Sequence, residues 1–436
     1  MLSTNNESWV DFKMTHKQRT AYQHMILGNN VFITGGGGVG KSALLKYFYN
    51  SKTINNSIIM TSLTGTSAVL IGGATIHSYL GLGLGVKSVD ALCTKIKSKQ
   101  YLKKRWIALK TLIIDEISMM SAELFDKISN IAKIIKNSER PFGGIQIIAS
   151  GDFCQLKPIG SDNFCFEASD WEPTMDYIVN LTEIIRQKDV EFQNCLNDIR
   201  LGTIKQSTKD LLEQHIGKKL SNEQNIIPTK LFSTNDLVDK INNKSLSKLE
   251  NKSKTSETLT YDVDVEITNR KGLTKDIVEY LTDRHIKSIT APETINICMN
   301  CQVMLCVNLD AELGLVNGSR GVVIGFINDL PHVKFLNGTI MVIDWYSWDI
   351  ETDDGKKIGK VSQIPLRLAY AFSIHKSQGC TLDYAVIDLS NIFDYGMAYV
   401  ALSRIKSLEN LSITAINWER IETHPKALEF YRMIEE

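Results

Sequence analysis

Between residues 15 and 182, short uninterrupted apolar runs alternate with stretches of helical period. Residues 15–27 read as a capped amphipathic helix. Val31-Phe32-Ile33, Ser57–Thr61, Thr111–Ile114 and Ile145–Ser150 are runs of strand length, rich in β-branched residues. Such runs suit strands covered on both faces, and their alternation with helices argues a parallel sheet. Asp189 to Lys219 is helix-rich, and Lys230–Thr234 is another strand. Residues 244–262, polar and rich in Lys, Ser and Thr, read as a surface linker or the base of an insertion. From about 295 to 350 the period falls to two, with hairpin signals at Asn317-Gly318, Asn337-Gly338 and Asp354-Gly355. That pattern predicts a small β-barrel-like module. Ala385–Leu389 and Leu411–Ala415 return to buried-strand patterning, so α/β character occupies both halves of the chain.

The first strand runs directly into Gly35-Gly36-Gly37-Gly38-Val39-Gly40-Lys41-Ser42, which satisfies G-x-x-x-x-G-K-[ST] and opens a helix. Glycines at this spacing let successive backbone N–H groups curl around a phosphate, and the helix N-terminus adds its positive end. Lys41 reaches the β- and γ-phosphates, and the Ser42 hydroxyl completes the shell of a Mg²⁺ ion. Asp115-Glu116 closes the third apolar run, about seventy residues further on. There Asp115 holds the metal and Glu116 orients and deprotonates the attacking water. Gln155, just past the fourth run, is a candidate sensor of the γ-phosphate.

Composition changes this picture little. The chain has 436 residues, 43% hydrophobic and 22% charged, with a formal net charge of zero. A nucleic-acid surface must therefore come from local segregation of charge. No apolar run reaches membrane-spanning length and the N-terminus lacks a signal-peptide layout, so an intracellular protein is expected. The eight cysteines are scattered. Cys298, Cys301 and Cys306 supply too few ligands for a zinc site and read as small buried residues. The basic run Lys95 to Trp106, with Tyr101 and Trp106 interleaved, is either a solvated helix face or a nucleic-acid contact.

An ordered series of motifs from about residue 14 to 412 resembles the superfamily 1B DNA helicases of the petite-integration-frequency (Pif-one-like) family. Gln18 lies where that family reads adenine. Thr64-Gly65 and Thr75-Ile76-His77-Ser78 resemble its first strand-contacting motifs, and Gly151–Leu156 resembles motif III. Leu181–Gln187, Phe192 and Ile199–Gly202 match the family signature. Ile374–Asp383 resembles motif V, Tyr399–Arg404 motif VI, and Gly314–Gly321 a loop of the β module. Val39 stands where the family usually has Thr, and Ser62-Leu63 where Ala-Pro is common.

The resemblance implies two RecA-like parallel-sheet lobes with the nucleotide between them. The first would span residues 1–182 with a small wedge insertion at about 74–106. The second would comprise 183–261 and 362–436, interrupted by an SH3-like insertion at 262–361. ATP and Mg²⁺ are the implied cofactors, with Gln18, the loop from Gly35 to Ser42, and Gly379 around the nucleotide. Arg186 and Arg404 are implied to face the γ-phosphate from the second lobe. Thr64, Gly65, His77, Ser78, His375 and Ser377 are the implied contacts to single-stranded DNA, each histidine having a buried structural role as its alternative. The expected activity is ATP-dependent 5′ to 3′ movement on single-stranded DNA with unwinding of duplex or forked DNA, by a chain that is monomeric when acting. Two rival readings keep the phosphate loop, namely a small-molecule phosphotransferase and a non-enzymatic ATP clamp. Stimulation of ATP turnover by single-stranded DNA separates all three.

Overall fold

The computed structural model describes residues 12–52, 57–83, 85–220, 227–252, 258–270, 272–286, 289, 291–310, 312–352 and 357–435. The Asp354-Gly355 turn signal lies outside them. The chain divides into two compact units. One takes everything up to Thr203 together with the segment from Thr423, and the other is Ile204–Glu422.

The first unit is built on six parallel strands: β1 (Val31–Gly35), β2 (Ile58–Ser62), β3 (Ala74–Thr75), β4 (Thr111–Asp115), β5 (Gln146–Ser150) and β6 (Tyr177–Leu181). Their order across the sheet is β3-β2-β4-β5-β1-β6. Alternate residues of one strand enter opposite cores. Phe32, Leu112, Ile114, Ile147 and Ala149 face a cluster with Phe125, Trp106 and Trp171. Val31, Ile33, Ile113 and Ile148 face another, with Leu44, Leu45 and Phe48 of the helix after the phosphate loop. Burial on both faces is why these strands read as unbroken apolar runs.

The expected boundary of the first lobe is corrected. Residues 183–203 and the C-terminal helix Pro425–Glu435, assigned from sequence to the second lobe, pack in the first unit. Phe192, Cys195, Leu196 and Ile199 are buried there, and Phe430 and Tyr431 join the core of Phe32 and Phe125. Within the stretch 74–106, Ile76, Leu80, Leu92, Ile96, Leu102 and Trp106 all belong to that same core. Trp106 is buried and its indole N–H donates to Leu80 O at 3.1 Å, so this aromatic is structural. Tyr101 instead lies against the Arg105 guanidinium, 5.5 Å from ring to cation.

The second unit carries a four-stranded parallel sheet in the order Ala371–Ser373, Thr229–Phe232, Ala385–Leu389, Leu411–Ile416. Its remaining strands are antiparallel. Five of them run Ile340–Val342, Leu330–Phe335, Arg320–Ile327, Gln302–Leu305, Leu366–Leu368; three run Tyr346–Glu351, Lys357–Gln363, Asp264–Ile267; and Thr294–Cys298 pairs with Thr258–Asp262. Much of the predicted linker at 244–262 is helix, because Asn235–Lys252 buries Leu246 and part of Leu249 against this β module. Cys298 and Cys301 sit in the core of the same module, and Cys306 is likewise fully buried. Among the described residues, no helix is long and apolar enough to cross a membrane.

Candidate nucleotide site and strand-contact residues

The phosphate loop leaves the C-terminal end of β1, where a parallel sheet gathers its ligand groups. Lys41 opens the helix Lys41–Lys52, with Ser42 next, half-buried in its first turn. The Lys41 ammonium folds back over the loop and donates to Gly35 O at 2.7 Å and Gly36 O at 3.0 Å. Burial pulls its pKa below the usual lysine value, and the charges of Asp152, Glu116 and Asp115 oppose that pull. Three carboxylates therefore act on the cation that is to face phosphate, with the Arg200 charge against them.

Two neighbours hold the loop from outside. Gln18, fully buried, accepts from Thr15 N at 3.0 Å, closing the helix cap, and donates to Val39 O at 3.0 Å. Its amide thus braces the loop, a role beyond the adenine reading expected of it. From the other side, Ile185 N and Arg186 N donate to Gly38 O at 2.9 and 3.1 Å. Arg186 accordingly lies in the first unit against the phosphate loop, and not on the second lobe as expected. Gly38 has φ +88°, and a Cβ there would meet Arg186 Cβ at 2.7 Å, so only glycine fits.

Asp115 ends β4 beside Ser62 and Ser150. Ser150 Oγ and the Glu116 N–H both donate to its Oδ1. Among the described residues no hydrogen bond falls on Oδ2, the oxygen that would serve a metal ion. Glu116 sits at φ 55°, ψ 41°, an uncommon conformation for a non-glycine residue that turns the chain sharply off the strand. Gln155 is buried with its backbone N–H on Asp152 O at 2.9 Å, and its side-chain Oε1 has no hydrogen-bond partner among the described residues. A buried orphan acceptor in the turn that begins at Asp152 is what the O–H of a bound water would satisfy. The donor set of one hydroxyl and one carboxylate also fits Mg²⁺, which keeps most of its waters.

Sequence reasoning missed one cluster. Asp152, with no exposed surface, takes a two-pronged contact from Arg200, Nε to Oδ2 and Nη2 to Oδ1, both at 2.9 Å. Tyr431 OH donates to Asp152 Oδ1 at 2.9 Å, lies 2.6 Å from Thr34 Oγ1, and accepts from Phe153 N at 3.2 Å. Burial opposes the charge on Asp152, yet Arg200, Lys41 and the Tyr431 hydroxyl together hold its carboxyl below the ordinary value. The Arg200 guanidinium also lies over the Tyr431 ring at 4.4 Å. Asp152 and Arg200 stood inside recognised motifs without a role; nothing local marked Tyr431.

The strand-contact candidates divide. Ser78 is exposed and half-buried His77 lies against the Gly85 turn, with burial lowering the imidazole pKa. Thr64 caps the helix Gly65–Ile71, accepting from Ser67 N at 3.1 Å, and Gly65 opens on empty space. In the second unit, half-buried His375 stacks near Phe393 at 6.0 Å, while Ser377 turns its hydroxyl inward to Ile374 O at 2.7 Å. That bond spends the Ser377 hydroxyl proton on its own turn. Gly379 follows at φ 80°. Arg404 is buried at the end of the helix Met397–Ser403, donating to Val400 O at 2.8 Å and Ser403 Oγ at 2.7 Å.

Comparison with known proteins matches two family descriptions, PIF1-like helicase over residues 13–210 and DNA helicase Pif1, 2B domain, over 298–326. A crystal structure of Pif1 helicase from Candida albicans is 34% identical, covers 97% of this chain and 99% of its own, and superposes with a TM-score of 0.83. This chain belongs to the PIF1-like helicase family. An uncharacterised protein, 030L, of Invertebrate iridescent virus 6 is 37% identical over 97% of this chain and 94% of its own length. The ATP-dependent DNA helicase PIF1 of Xenopus laevis is 36% identical over 97% of this chain, which spans 65% of that protein. A Bacteroides Pif1 helicase crystallised with ADP-AlF3 and single-stranded DNA is 29% identical, covers 98% of both chains, and gives a TM-score of 0.71. The 2B-domain match falls inside the antiparallel module, and the longer match covers the phosphate loop, Asp115, Gln155 and Arg200.

Proposed function

We propose that this PIF1-like chain is an ATP- and Mg²⁺-dependent DNA helicase that moves 5′ to 3′ along a single strand and unwinds duplex or forked DNA in replication, repair or recombination. The observation that carries the reading is the Lys41 ammonium, folded onto the phosphate loop within the influence of Asp152, Glu116 and Asp115. A phosphate-binding cation placed beside a water-orienting acid is the equipment of NTP hydrolysis. The named activity of the Xenopus relative and the ligands of the Bacteroides structure support ATP and single-stranded DNA as its partners.

In this reading Gln18 and Gly379 border the nucleotide, and Ser42 and Asp115 would hold Mg²⁺, which when bound would supply charge to offset that on the phosphate oxygens. Glu116 takes the proton of the attacking water, Gln155 Oε1 accepts from that water, and Arg186 contacts phosphate from the roof of the loop. Arg404 is the arginine that the second unit contributes to turnover. Thr64, Gly65, His77, Ser78, His375 and Ser377 track the DNA backbone. The antiparallel module serves as the SH3-like insertion, and the turn carrying Val86, 81% exposed, as the duplex-splitting element. The protein works as an intracellular monomer.

The test is ATP turnover with and without single-stranded DNA, with Lys41→Ala as control, followed by unwinding of tailed duplexes of both polarities. Turnover that rises with DNA and vanishes in the variant is expected. Turnover indifferent to DNA would favour a phosphotransferase, and tight DNA binding without turnover an ATP clamp.

A further inference from the structure

The last helix of the chain does more than cover the core. Its Tyr431 hydroxyl has one hydrogen to give and two lone pairs to fill, and all three are used inside the protein. The hydrogen goes to Asp152 Oδ1 at 2.9 Å. One lone pair takes the Phe153 N–H at 3.2 Å. The other is left for Thr34, 2.6 Å away, which must therefore donate. Thr34 immediately precedes Gly35, whose carbonyl receives the Lys41 ammonium at 2.7 Å. Asp152 immediately precedes the turn that carries Gln155, and its carbonyl holds the Gln155 N–H at 2.9 Å.

We infer that Tyr431 is a positioning residue for ATP hydrolysis, its hydroxyl fixing the end of the phosphate-loop strand against the turn that bears Asp152 and Gln155. Every group concerned is buried, so a lost bond is not replaced by water at the surface. Without the hydroxyl, the Phe153 N–H and one Asp152 oxygen lose a partner at once. The two segments are then free to shift, which loosens Gln155 relative to Lys41. Displacements of about 1 Å in such constellations cost on the order of a hundredfold in rate. Binding of ATP depends chiefly on the loop backbone and Lys41, which the hydroxyl does not touch directly.

The inference rests on the ATPase reading above, and three variants test it. Tyr431→Phe keeps the ring, its packing and its contact with Arg200, and removes only the hydroxyl. Thr34→Val removes the other end of the same bond. Ile434→Ala loosens the same helix where it packs on the core, without touching the hydroxyl. DNA-stimulated kcat and the KM for ATP are measured with mant-ATP affinity and the unfolding midpoint. Tyr431→Phe should lower kcat by about tenfold to a hundredfold, with KM and mant-ATP affinity within about threefold of wild type. Thr34→Val should lower kcat likewise, and the double variant should be no worse than the more damaging single one. Ile434→Ala should lower the midpoint and leave kcat unchanged. A Tyr431→Phe enzyme with wild-type kcat overturns the inference, as does a kcat that tracks the midpoint across all three variants. A wild-type protein that binds mant-ATP but never turns it over would overturn the helicase reading itself.

Discussion

Gly38→Ala asks whether the segment Ile185–Gln187 holds the phosphate loop in shape. The residue has φ +88°, where an L side chain costs about 1–2 kcal/mol. Its added methyl would lie 2.7 Å from Arg186 Cβ and 2.8 Å from Gln187 Oε1, so the neighbouring backbone must retreat. That backbone supplies the two N–H groups bonded to Gly38 O at 2.9 and 3.1 Å. Losing both costs about 1–3 kcal/mol, taking about 0.5–1.5 for each. The sum is about 2–5 kcal/mol. Even the lower figure, felt wholly as the cost of holding the loop in its binding shape, weakens ATP binding by roughly thirtyfold. Calorimetric titration with a non-hydrolysable ATP analogue measures it, with an unfolding scan in parallel. Gly325→Ala is the control, because nothing lies within 4 Å of its Cβ. Affinity within about threefold of wild type and an unchanged unfolding midpoint would refute the reasoning, since a backbone able to absorb the methyl is not a brace.

Glu116→Gln keeps the shape of the side chain but cannot take a proton; it should bind mant-ATP and single-stranded DNA while turnover falls by at least about a hundredfold. Equal loss of binding and turnover would make Glu116 a structural residue. Asp152 supplies a pH test. Its native pKa lies below the ordinary 3.8, so between that value and its native pKa the unfolded chain takes up a proton that the folded chain does not. The stabilisation is whole above the unfolded value and shrinks as pH falls toward the native one. Urea unfolding between about pH 5 and 3.5 should therefore show the gap between wild type and Asp152→Asn narrowing as pH falls. A constant gap would mean that the pair with Arg200 is not ionic.

Much of the fold was legible because the sheets leave simple marks. In β1, Val31 and Ile33 enter one core and Phe32 the other, so no polar residue interrupts the run. The misread segments failed for physical reasons too. The helix Asn235–Lys252 offers few apolar handles, Leu246 and Leu249 among them, in a lysine- and serine-rich stretch, and composition alone resembles a linker. The tight turn between Arg320–Ile327 and Leu330–Phe335 is Asn328-Asp329, with φ of 50° and 60° and no glycine to announce it. Asn337-Gly338 marks a genuine turn, with Gly338 N on Phe335 O at 3.0 Å. Asn317-Gly318, by contrast, lies in the long connection between Gln302–Leu305 and Arg320–Ile327.

The site divides along a different line, between chemistry written contiguously and chemistry assembled at long range. The loop from Gly35 to Ser42 must be read as one stretch, since its geometry is its spacing. Thr34 and Tyr431 touch across 397 positions, and no local pattern encodes such a pair. An aspartate in a Gly-Asp turn reads as exposed, because burying a lone carboxylate is costly. The two-pronged Arg200 contact, the tyrosine, the Cys154 N–H and the Lys41 charge together make its complete burial tolerable. The segment leading into the Tyr431 helix shows why the chain must return to the first unit. Thr423 Oγ1 donates to Arg200 O at 2.9 Å, and a Cβ on Gly202 would lie 3.5 Å from that hydroxyl, so the returning segment lands where the chain departs. Arg200 therefore sits at the junction of three demands: it neutralises Asp152, stacks on Tyr431, and offers its carbonyl to the re-entering chain. A residue loaded in this way resists replacement by lysine, which has neither the fork nor the planar face.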